Sequence, residues 1–234
     1  MRQIVLDTET TGLSVSKGHR VIEIGCLEIV NRRLTGNEYH CFLDPERDID
    51  EGAERVHGIS RADLYGQPRF ADIADEFLDF IKDSELLIHN ADFDVGFLDN
   101  ELQLMQHPQP SISDYAMVLD TLSLARTLHP GQRNSLDALC KRYSVDASKR
   151  EVHGALIDAE LLARVYLAMS GGQAALSLDD EATDKAVKAD IKGRLRQDDM
   201  QLLVVTVSDA ELDAHEALLD KMEESAPCIY RKNI

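Results

Sequence analysis

Two acidic residues follow the first apolar stretch of the chain. Ile4, Val5 and Leu6 lead directly into Asp7, Thr8, Glu9, Thr10, Thr11 and Gly12. A short apolar run bounded by a turn signal predicts a buried strand, on which Asp7 and Glu9 point to the same side, about 7 Å apart. Neighbouring carboxylates repel each other unless a cation lies between them, and oxygen ligands suit Mg²⁺ or Mn²⁺. The pair indicates a metal site, although two solvated acids at a strand end would show the same spacing.

A third carboxylate follows a second buried strand. Residues 86–90 are Leu-Leu-Ile-His-Asn, and Asp94 falls in the first turn of a helix predicted over 93–105, with Asp92 as its N-cap. A helix N-terminus favours negative charge, so Asp94 taken alone fits a capping acid. Taken with the acid pair on the first strand, it offers a further oxygen ligand.

A histidine and a fourth carboxylate flank the start of a later helix. His153 precedes the helix predicted over 154–169, and Asp158 lies in its second turn. Five residues at 100° each would leave the two side chains about 140° apart on one helix. They can share a site only if His153 lies on the entering loop, where Gly154 would let it fold back. A lone loop histidine is otherwise an ordinary surface residue.

The elements that must position these groups alternate along the chain. Strands are predicted over 2–7, 21–30, 38–43, 86–90 and 115–120, with a hairpin turn over 31–37 and a loop over 44–60. Helices are predicted over 70–81, 93–105, 121–128, 135–143 and 154–169. Strands first, then helices alternating with strands, predict an α/β fold with a mixed β-sheet and flanking helices.

Composition narrows the class of protein. The chain of 234 residues has a net charge of −18, which argues against a protein that binds DNA by neutralising phosphates along a groove. No apolar run is long enough to span a bilayer, and no secretory pattern opens the sequence. Four scattered cysteines indicate reduced thiols of a cytoplasmic protein; they are Cys26, Cys41, Cys140 and Cys228.

The chemistry-bearing motifs together resemble those of the DEDDh family of 3′–5′ exonucleases. Asp-Thr-Glu-Thr-Thr-Gly, His-Asn-x-x-Phe-Asp and His-x-x-x-x-Asp occur in the family's order within about residues 1–170. The resemblance implies a ribonuclease-H-like fold and two divalent ions, Mg²⁺ or Mn²⁺. The resemblance also implies five catalytic residues, of which the four acids are metal ligands. These residues are Asp7, Glu9, Asp94, His153 and Asp158. The residues implied to contact the substrate are Asp7, Glu9, Thr10, His57, Asn90 and Asp158.

Further segments resemble one branch of that family, the proofreading epsilon subunits of bacterial DNA polymerase III. These segments lie at 2–6, 30–37, 133–140, 153–156 and 166–173. The resemblance implies an exonuclease domain over 1–172, a linker over 173–200 and a small segment over 201–234 that binds the polymerase catalytic subunit. It implies a bacterial cytoplasmic protein at the replisome. Residues 173–178, Gln-Ala-Ala-Leu-Ser-Leu, resemble a peptide that docks on the sliding clamp.

The implied activity is removal of mispaired 3′-terminal nucleotides from single-stranded or frayed DNA, releasing 5′-mononucleotides. His153 would act as general base, since its ordinary pKa is close to neutral pH. Because the chain is acidic overall, local basic side chains must contact the phosphates of the substrate. The candidates are Arg126, Arg133, Lys141 and Arg142. The resemblance leaves open whether a small accessory subunit also binds.

One departure from the family's pattern lies before Val56-His57-Gly58-Ile59. Where the family often carries an acid that contacts the nucleotide, this chain has Gly52, with Glu51 one residue away. Two other functions stay open. The site residues do not distinguish a DNA exonuclease from a 3′ exoribonuclease, and an inactive scaffold that joins polymerase to clamp would carry the same tail.

Overall fold

A five-stranded mixed sheet forms the centre of the N-terminal part of the chain. The computed structural model describes residues 2–148, 152–171 and 208–223, which fall into two units, 1–174 and 175–234. The strands of the first unit are β1 (Arg2–Thr10), β2 (Val21–Val30), β3 (Arg33–Phe42), β4 (Glu85–Ile88) and β5 (Met117–Asp120). Their order is β3-β2-β1-β4-β5. β1 to β3 are antiparallel, and β4 and β5 run parallel to β1, so the predicted mixed sheet is confirmed.

Six α-helices accompany the sheet in the described part of this unit. They are α1 (Glu51–His57), α2 (Phe70–Ile81), α3 (Ala91–Leu104), α4 (Thr121–Leu128), α5 (Leu136–Tyr143) and α6 (Ala155–Gly171). Short 3-10 helices cover Val15–Lys17, Arg61–Leu64 and Ile112–Asp114. Because β1 is central and almost wholly buried, the sequence that follows its apolar run is held between helices on both sides of the sheet.

Alternation along β1 divides its side chains between two hydrophobic cores. Ile4 and Leu6 belong to the core formed with α2 and α3. Val5 belongs to the core formed with α5 and α6. Since side chains alternate across a strand, Asp7 and Glu9 continue the α6 side, and Thr8 continues the α3 side. The same strand therefore presents functional groups to helices on opposite faces.

Two predicted connections differ in the structure. The β2–β3 hairpin turns at Asn31 and Arg32, both with positive φ (49° and 62°), rather than over the whole of 31–37. Such a tight turn matches the twist of the paired strands, and Gly36 (φ 86°) lies instead where the pairing register shifts. The predicted loop over 44–60 contains α1. This short, charged helix has no amphipathic repeat to reveal it, and Gly58 ends it in the left-handed region.

Two local predictions at helix starts were also wrong. The N-cap of α3 is Asn90, in the left-handed region (φ 72°), and not Asp92. The short connection from β4 into α3 requires that sharp reversal, and asparagine tolerates it better than most residues. Gly154 is not among the residues with positive φ, so the approach of His153 to α6 does not use the conformational freedom of glycine.

The C-terminal unit contributes one described helix, α7 (Asp209–Glu223). Ser208 caps it: its hydroxyl and backbone N–H both donate to Glu211, as in a capping box. The clamp-like peptide 173–178 and the segment 201–207 lie outside the described residues. Within the described ranges, no helix is both long and apolar enough to cross a membrane. Cys26 and Cys140 are buried, Cys41 is partly buried, and Cys228 lies outside the description.

Candidate active site

The carboxyl ends of β1 and its parallel neighbour β4 lie side by side in the sheet. β1 ends in Asp7, Thr8 and Glu9, and β4 leads through His89 and Asn90 into α3. Helix α6 packs against β1 and β2 on the face of the sheet opposite α3. This arrangement brings the first turns of α3 and α6, each with a buried aspartate, to the same edge of the sheet.

Three of the predicted site residues form a compact donor cluster. One ligand atom from each of Glu9, His153 and Asp158 lies within 4.8 Å of the other two. Asp158 is 3% exposed, whereas Glu9 and His153 are partly accessible. Two carboxylates and an imidazole at this spacing fit a divalent cation that accepts oxygen and nitrogen ligands. Asp7 lies on the same strand face, two residues from Glu9, and like Asp94 is not a member of this group.

His153 lies two residues before the start of α6 and is held at both its backbone and its ring. Its backbone N–H donates to the carbonyl of Val56 at the end of α1 (3.2 Å). Its Nδ1 lies 3.1 Å from Oδ2 of Asp158, which is in the first turn of α6. The two side chains therefore meet across the entry to the helix, and the carboxylate orients the imidazole ring.

Asp94 lies on the α3 side of β1 and has different partners. Its Oδ1 accepts hydrogen bonds from the Thr8 backbone N–H (3.0 Å) and the Thr8 hydroxyl (2.7 Å). Burial raises the pKa of Asp94 to about 7, against the lowering effect of the Thr8 hydrogen bonds. A cation near this carboxylate would favour its ionised form. Asp94 thus fits a second ligand group that is ready to ionise near neutral pH.

A cavity of about 380 Å³ opens beside the donor cluster. Glu9, Thr10 and His57 line it, and Thr10 Oγ1 is fixed by donating to the Gly12 carbonyl (2.8 Å). His57 Nδ1 accepts from the Ile59 backbone N–H (3.0 Å), so its Nε2 carries the proton. Burial lowers the pKa of His57. Burial therefore favours the neutral ring at the cavity wall, and its Nε2 is itself buried.

The cavity also contains residues that sequence reasoning missed. Lys17, His19 and Asp50 line it, with Leu13 and Phe93 supplying apolar surface. Phe93 belongs to the His-Asn-x-x-Phe-Asp motif, whereas no motif marks the other four residues, which come from loops and short helices that meet only in the fold. The cation at the cavity is thus Lys17, which was not among the predicted cations.

The predicted substrate contact Asn90 lies elsewhere. It is exposed and lines a second pocket with His89, Arg126 and Asn134. Arg142, another predicted cation, donates instead to Asn134 Oδ1 (2.9 Å) and the Arg133 carbonyl (2.8 Å). Its role here is to hold the loop before α5.

Gly52, the departure from the expected pattern, lines the cavity from α1. A Cβ placed on it would meet no atom within 4 Å among the described residues. Its φ is not positive. Neither backbone geometry nor crowding requires a glycine here, so its effect is to leave space at the cavity wall.

Comparisons with known proteins match this chain to exonucleases and, over nearly its whole length, to epsilon subunits of DNA polymerase III. The family model described as Exonuclease (RNase_T) matches residues 4–166. DNA polymerase III subunit epsilon of Escherichia coli K12 is 49% identical over 98% of this chain and 97% of the relative. The corresponding protein of Rickettsia typhi is 45% identical over 95% and 97%. In structure, Exonuclease X in complex with 5′ overhanging duplex DNA matches with a TM-score of 0.56 and 24% identity, covering 74% of this chain and 95% of that one.

Proposed function

Because the chain belongs to the exonuclease family and, within it, to the epsilon subunits of DNA polymerase III, we propose that this site removes mispaired nucleotides from DNA 3′ ends by hydrolysis. The observation that carries the proposal is the cluster of Glu9, His153 and Asp158 within 4.8 Å. It lies beside a cavity of about 380 Å³, within the usual size of small-ligand pockets.

The donor set supports a pair of divalent ions, Mg²⁺ or Mn²⁺. Glu9 and Asp158 would hold one ion, Asp94 would serve the other, and Asp7, on the same strand face as Glu9, would supply a further carboxylate. When bound, such ions lower the pKa of a water molecule and stabilise charge on the leaving oxygen. Carboxylate oxygens are the ligands these cations prefer, and a cation would offset the repulsion between neighbouring carboxylates.

His153 is the general base of the proposed reaction. With Nδ1–H donating to Asp158, Nε2 is the nitrogen that accepts the proton of the attacking water. The 45% exposure of its side chain leaves the ring accessible to substrate and water. An imidazole oriented in this way is suited to proton transfer at neutral pH.

The cavity would hold the terminal nucleotide. Thr10 and His57 would contact the nucleotide from the cavity wall, while Leu13 and Phe93 offer apolar surface for the base. No base reading is needed for proofreading, because a mispaired end pays less to leave its duplex than a paired one. Lys17 and Arg126 are the local cations that would contact the phosphates of the strand.

The net charge of −18 makes independent binding to DNA weak, so a partner would hold the site at its substrate. We place contact with the polymerase catalytic subunit in 201–234, where α7 exposes Leu212 and Leu218 (51% and 56%). The clamp would bind 173–178. Tethering of this kind raises effective concentration without new contacts at the site. The corresponding location is the bacterial cytoplasm, at the replisome.

Hydrolysis of a 3′-mismatched DNA primer and an RNA of equal length tests the function. We expect release of 5′-mononucleotides from the DNA with Mg²⁺ or Mn²⁺. Chelator should stop it, and an Asp7→Ala, Glu9→Ala double variant should lack it. Faster cleavage of the RNA would show an exoribonuclease instead. Absence of metal-dependent cleavage of either substrate would leave the scaffold as the function.

A further inference from the structure

Glu23 of β2 is a buried acid beside the site that the proposed mechanism does not use. It is 4% exposed and lies in register opposite Glu9 of β1. Two acids directly opposite each other on neighbouring strands destabilise a sheet, and a buried carboxylate is costly unless it is hydrogen-bonded. The buried carboxylate of Glu23 therefore needs hydrogen-bond partners, and one of these partners lies in the turn that carries the proposed catalytic residues.

The carboxylate of Glu23 joins two elements. Its Oε2 accepts from the backbone N–H of Ala155, the first residue of α6 (3.1 Å). Its Oε1 lies 2.8 Å from Nε2 of His40 on β3. Ala155 is two residues after His153 and three before Asp158. A single side chain of the sheet thus fixes the turn that carries both groups.

Gly25, two residues along β2, makes this approach possible. A Cβ at Gly25 would lie only 2.3 Å from the backbone nitrogen of Leu156 and 2.4 Å from the carbonyl carbon of Ala155. The first turn of α6 therefore rests directly on the backbone of β2. The close approach brings the Ala155 N–H within reach of Glu23, on the sheet face shared with Glu9.

We propose that Glu23 is a positioning residue for hydrolysis: it holds the first turn of α6 so that His153 and Asp158 stay within metal-binding distance of Glu9. The His153 turn then has two anchors, the Val56 carbonyl on one side and the Glu23 carboxylate on the other. His40 keeps the Glu23 side chain in the required orientation. This inference rests on the proposed function for its kinetic consequence, although not for its effect on metal affinity.

Three variants test the proposal in the full chain. Glu23→Ala removes the acceptor for Ala155, and Glu23→Gln keeps an acceptor oxygen while removing the charge. Glu28→Ala is the matched control, because Glu28 is a buried acid on the same strand whose partners are Arg2, Thr35 and Asn37. Each variant is compared at equal folded fraction, as judged by circular dichroism.

Kinetics on a 3′-mismatched primer and Mn²⁺ affinity measured calorimetrically without DNA are the two readouts. Misplacement of a catalytic group by about 1 Å costs roughly 10²-fold, so Glu23→Ala should lower kcat about 10- to 100-fold. KM should stay within about twofold, and Mn²⁺ binding should weaken about tenfold. Glu23→Gln should recover most of both. Glu28→Ala should lower stability alone.

Equal kcat and Mn²⁺ affinity in Glu23→Ala and Glu28→Ala would overturn the proposal, as would a Glu23→Gln variant no better than Glu23→Ala. If Glu23→Ala does not fold, His40→Ala replaces it, with a smaller loss of kcat expected and an unchanged kcat overturning the proposal. If the unaltered protein cleaves no primer, the proposed function fails, and the Mn²⁺ affinities still decide the role of Glu23.

Discussion

Asp94 and Asp158 are two buried carboxylates, each in the first turn of a helix, on opposite faces of β1. Asp158 faces the side of Glu9 and meets the imidazole of His153. Asp94 faces the other side and accepts hydrogen bonds from the uncharged donors of Thr8, and burial raises its pKa. The same residue type at the same helical position thus has two different environments.

The difference indicates a division of tasks within the site. In the proposed mechanism the α6 side combines ligand and base, because its carboxylate orients a histidine that is accessible to water. The α3 side holds a carboxylate whose pKa is raised by burial, and a nearby cation would favour its ionised form. Changes on the α6 side should therefore alter chemistry most, and changes on the α3 side should alter pH dependence and metal loading.

The largest effect is expected for Asp158→Asn. This variant removes a charged ligand and the partner of His153 together, and metal ions supply several kcal/mol of transition-state stabilisation. We expect kcat to fall roughly 10³- to 10⁵-fold. Single-turnover cleavage of a mismatched primer measures it. Asp137→Asn, an exposed acid in the first turn of α5, serves as the control. A loss of less than tenfold would remove Asp158 from the metal site.

His153→Ala should lower kcat about 10²- to 10⁴-fold, the usual contribution of a general base. Mn²⁺ affinity should change less than in Asp158→Asn, since the carboxylates remain. Titration calorimetry and turnover measured together separate the two roles. If affinity falls as far as turnover, His153 is a ligand rather than the base. His107→Ala, at a histidine outside the site, should change neither quantity.

The third prediction concerns the stability of the metal-free protein. The folded pKa of Asp94, about 7, lies above its unfolded value of 3.8. The unfolded chain therefore loses this proton first. The contribution of Asp94 to the free energy of unfolding should fall as pH rises from about 4 to about 7 and then level off, by up to about 4 kcal/mol. Urea unfolding in chelator measures it.

Asp94→Asn should flatten this decline, because asparagine carries no charge at any of these pH values. Asp92→Asn, two residues away and exposed, should keep the decline of the unaltered protein. An identical pH slope in Asp94→Asn and the unaltered chain would show that Asp94 is ionised already in the metal-free fold.

The smallest effect is expected for Thr8→Val. It removes the hydroxyl that donates to Asp94 but keeps the backbone N–H. A hydrogen bond to a charged group contributes about 1.5 kcal/mol, so Mn²⁺ affinity at pH 7 should fall about tenfold and recover near pH 9. Thr8→Ser, which restores the hydroxyl, should behave as the unaltered protein. A loss that persists at pH 9 would indicate repacking rather than a raised pKa.

Much of the site was predictable because its residues follow regular elements. The apolar run before Asp7 and Glu9 predicts the strand, and strand alternation puts both acids on one face. The spacing of His153 and Asp158 predicts that the histidine precedes the helix. Sheet composition and helix periodicity likewise predicted the mixed α/β architecture. Local periodicity suffices to predict these strands and helices, because the period of each element follows directly from its backbone geometry.

Other features could not be predicted from the local sequence pattern. The type of turn at Asn31 and Arg32, the helix α1 and the left-handed Asn90 depend on how neighbouring elements pack. Nor does spacing reveal that Asn90 faces a separate pocket while Lys17 lines the cavity. Such assignments need the relative placement of loops that have no periodic pattern of their own.

The sequence by itself determined the residue types of the candidate site: four acids and a histidine, on a strand and at two helix starts, which are types suited to divalent cations and proton transfer. Only the tertiary structure decided that Asp94 and Asp158 approach β1 from opposite faces, and that Glu23 reaches the turn carrying His153. Residue type and local period are properties of a segment. Burial, pKa and the meeting of distant side chains depend on packing across the sheet.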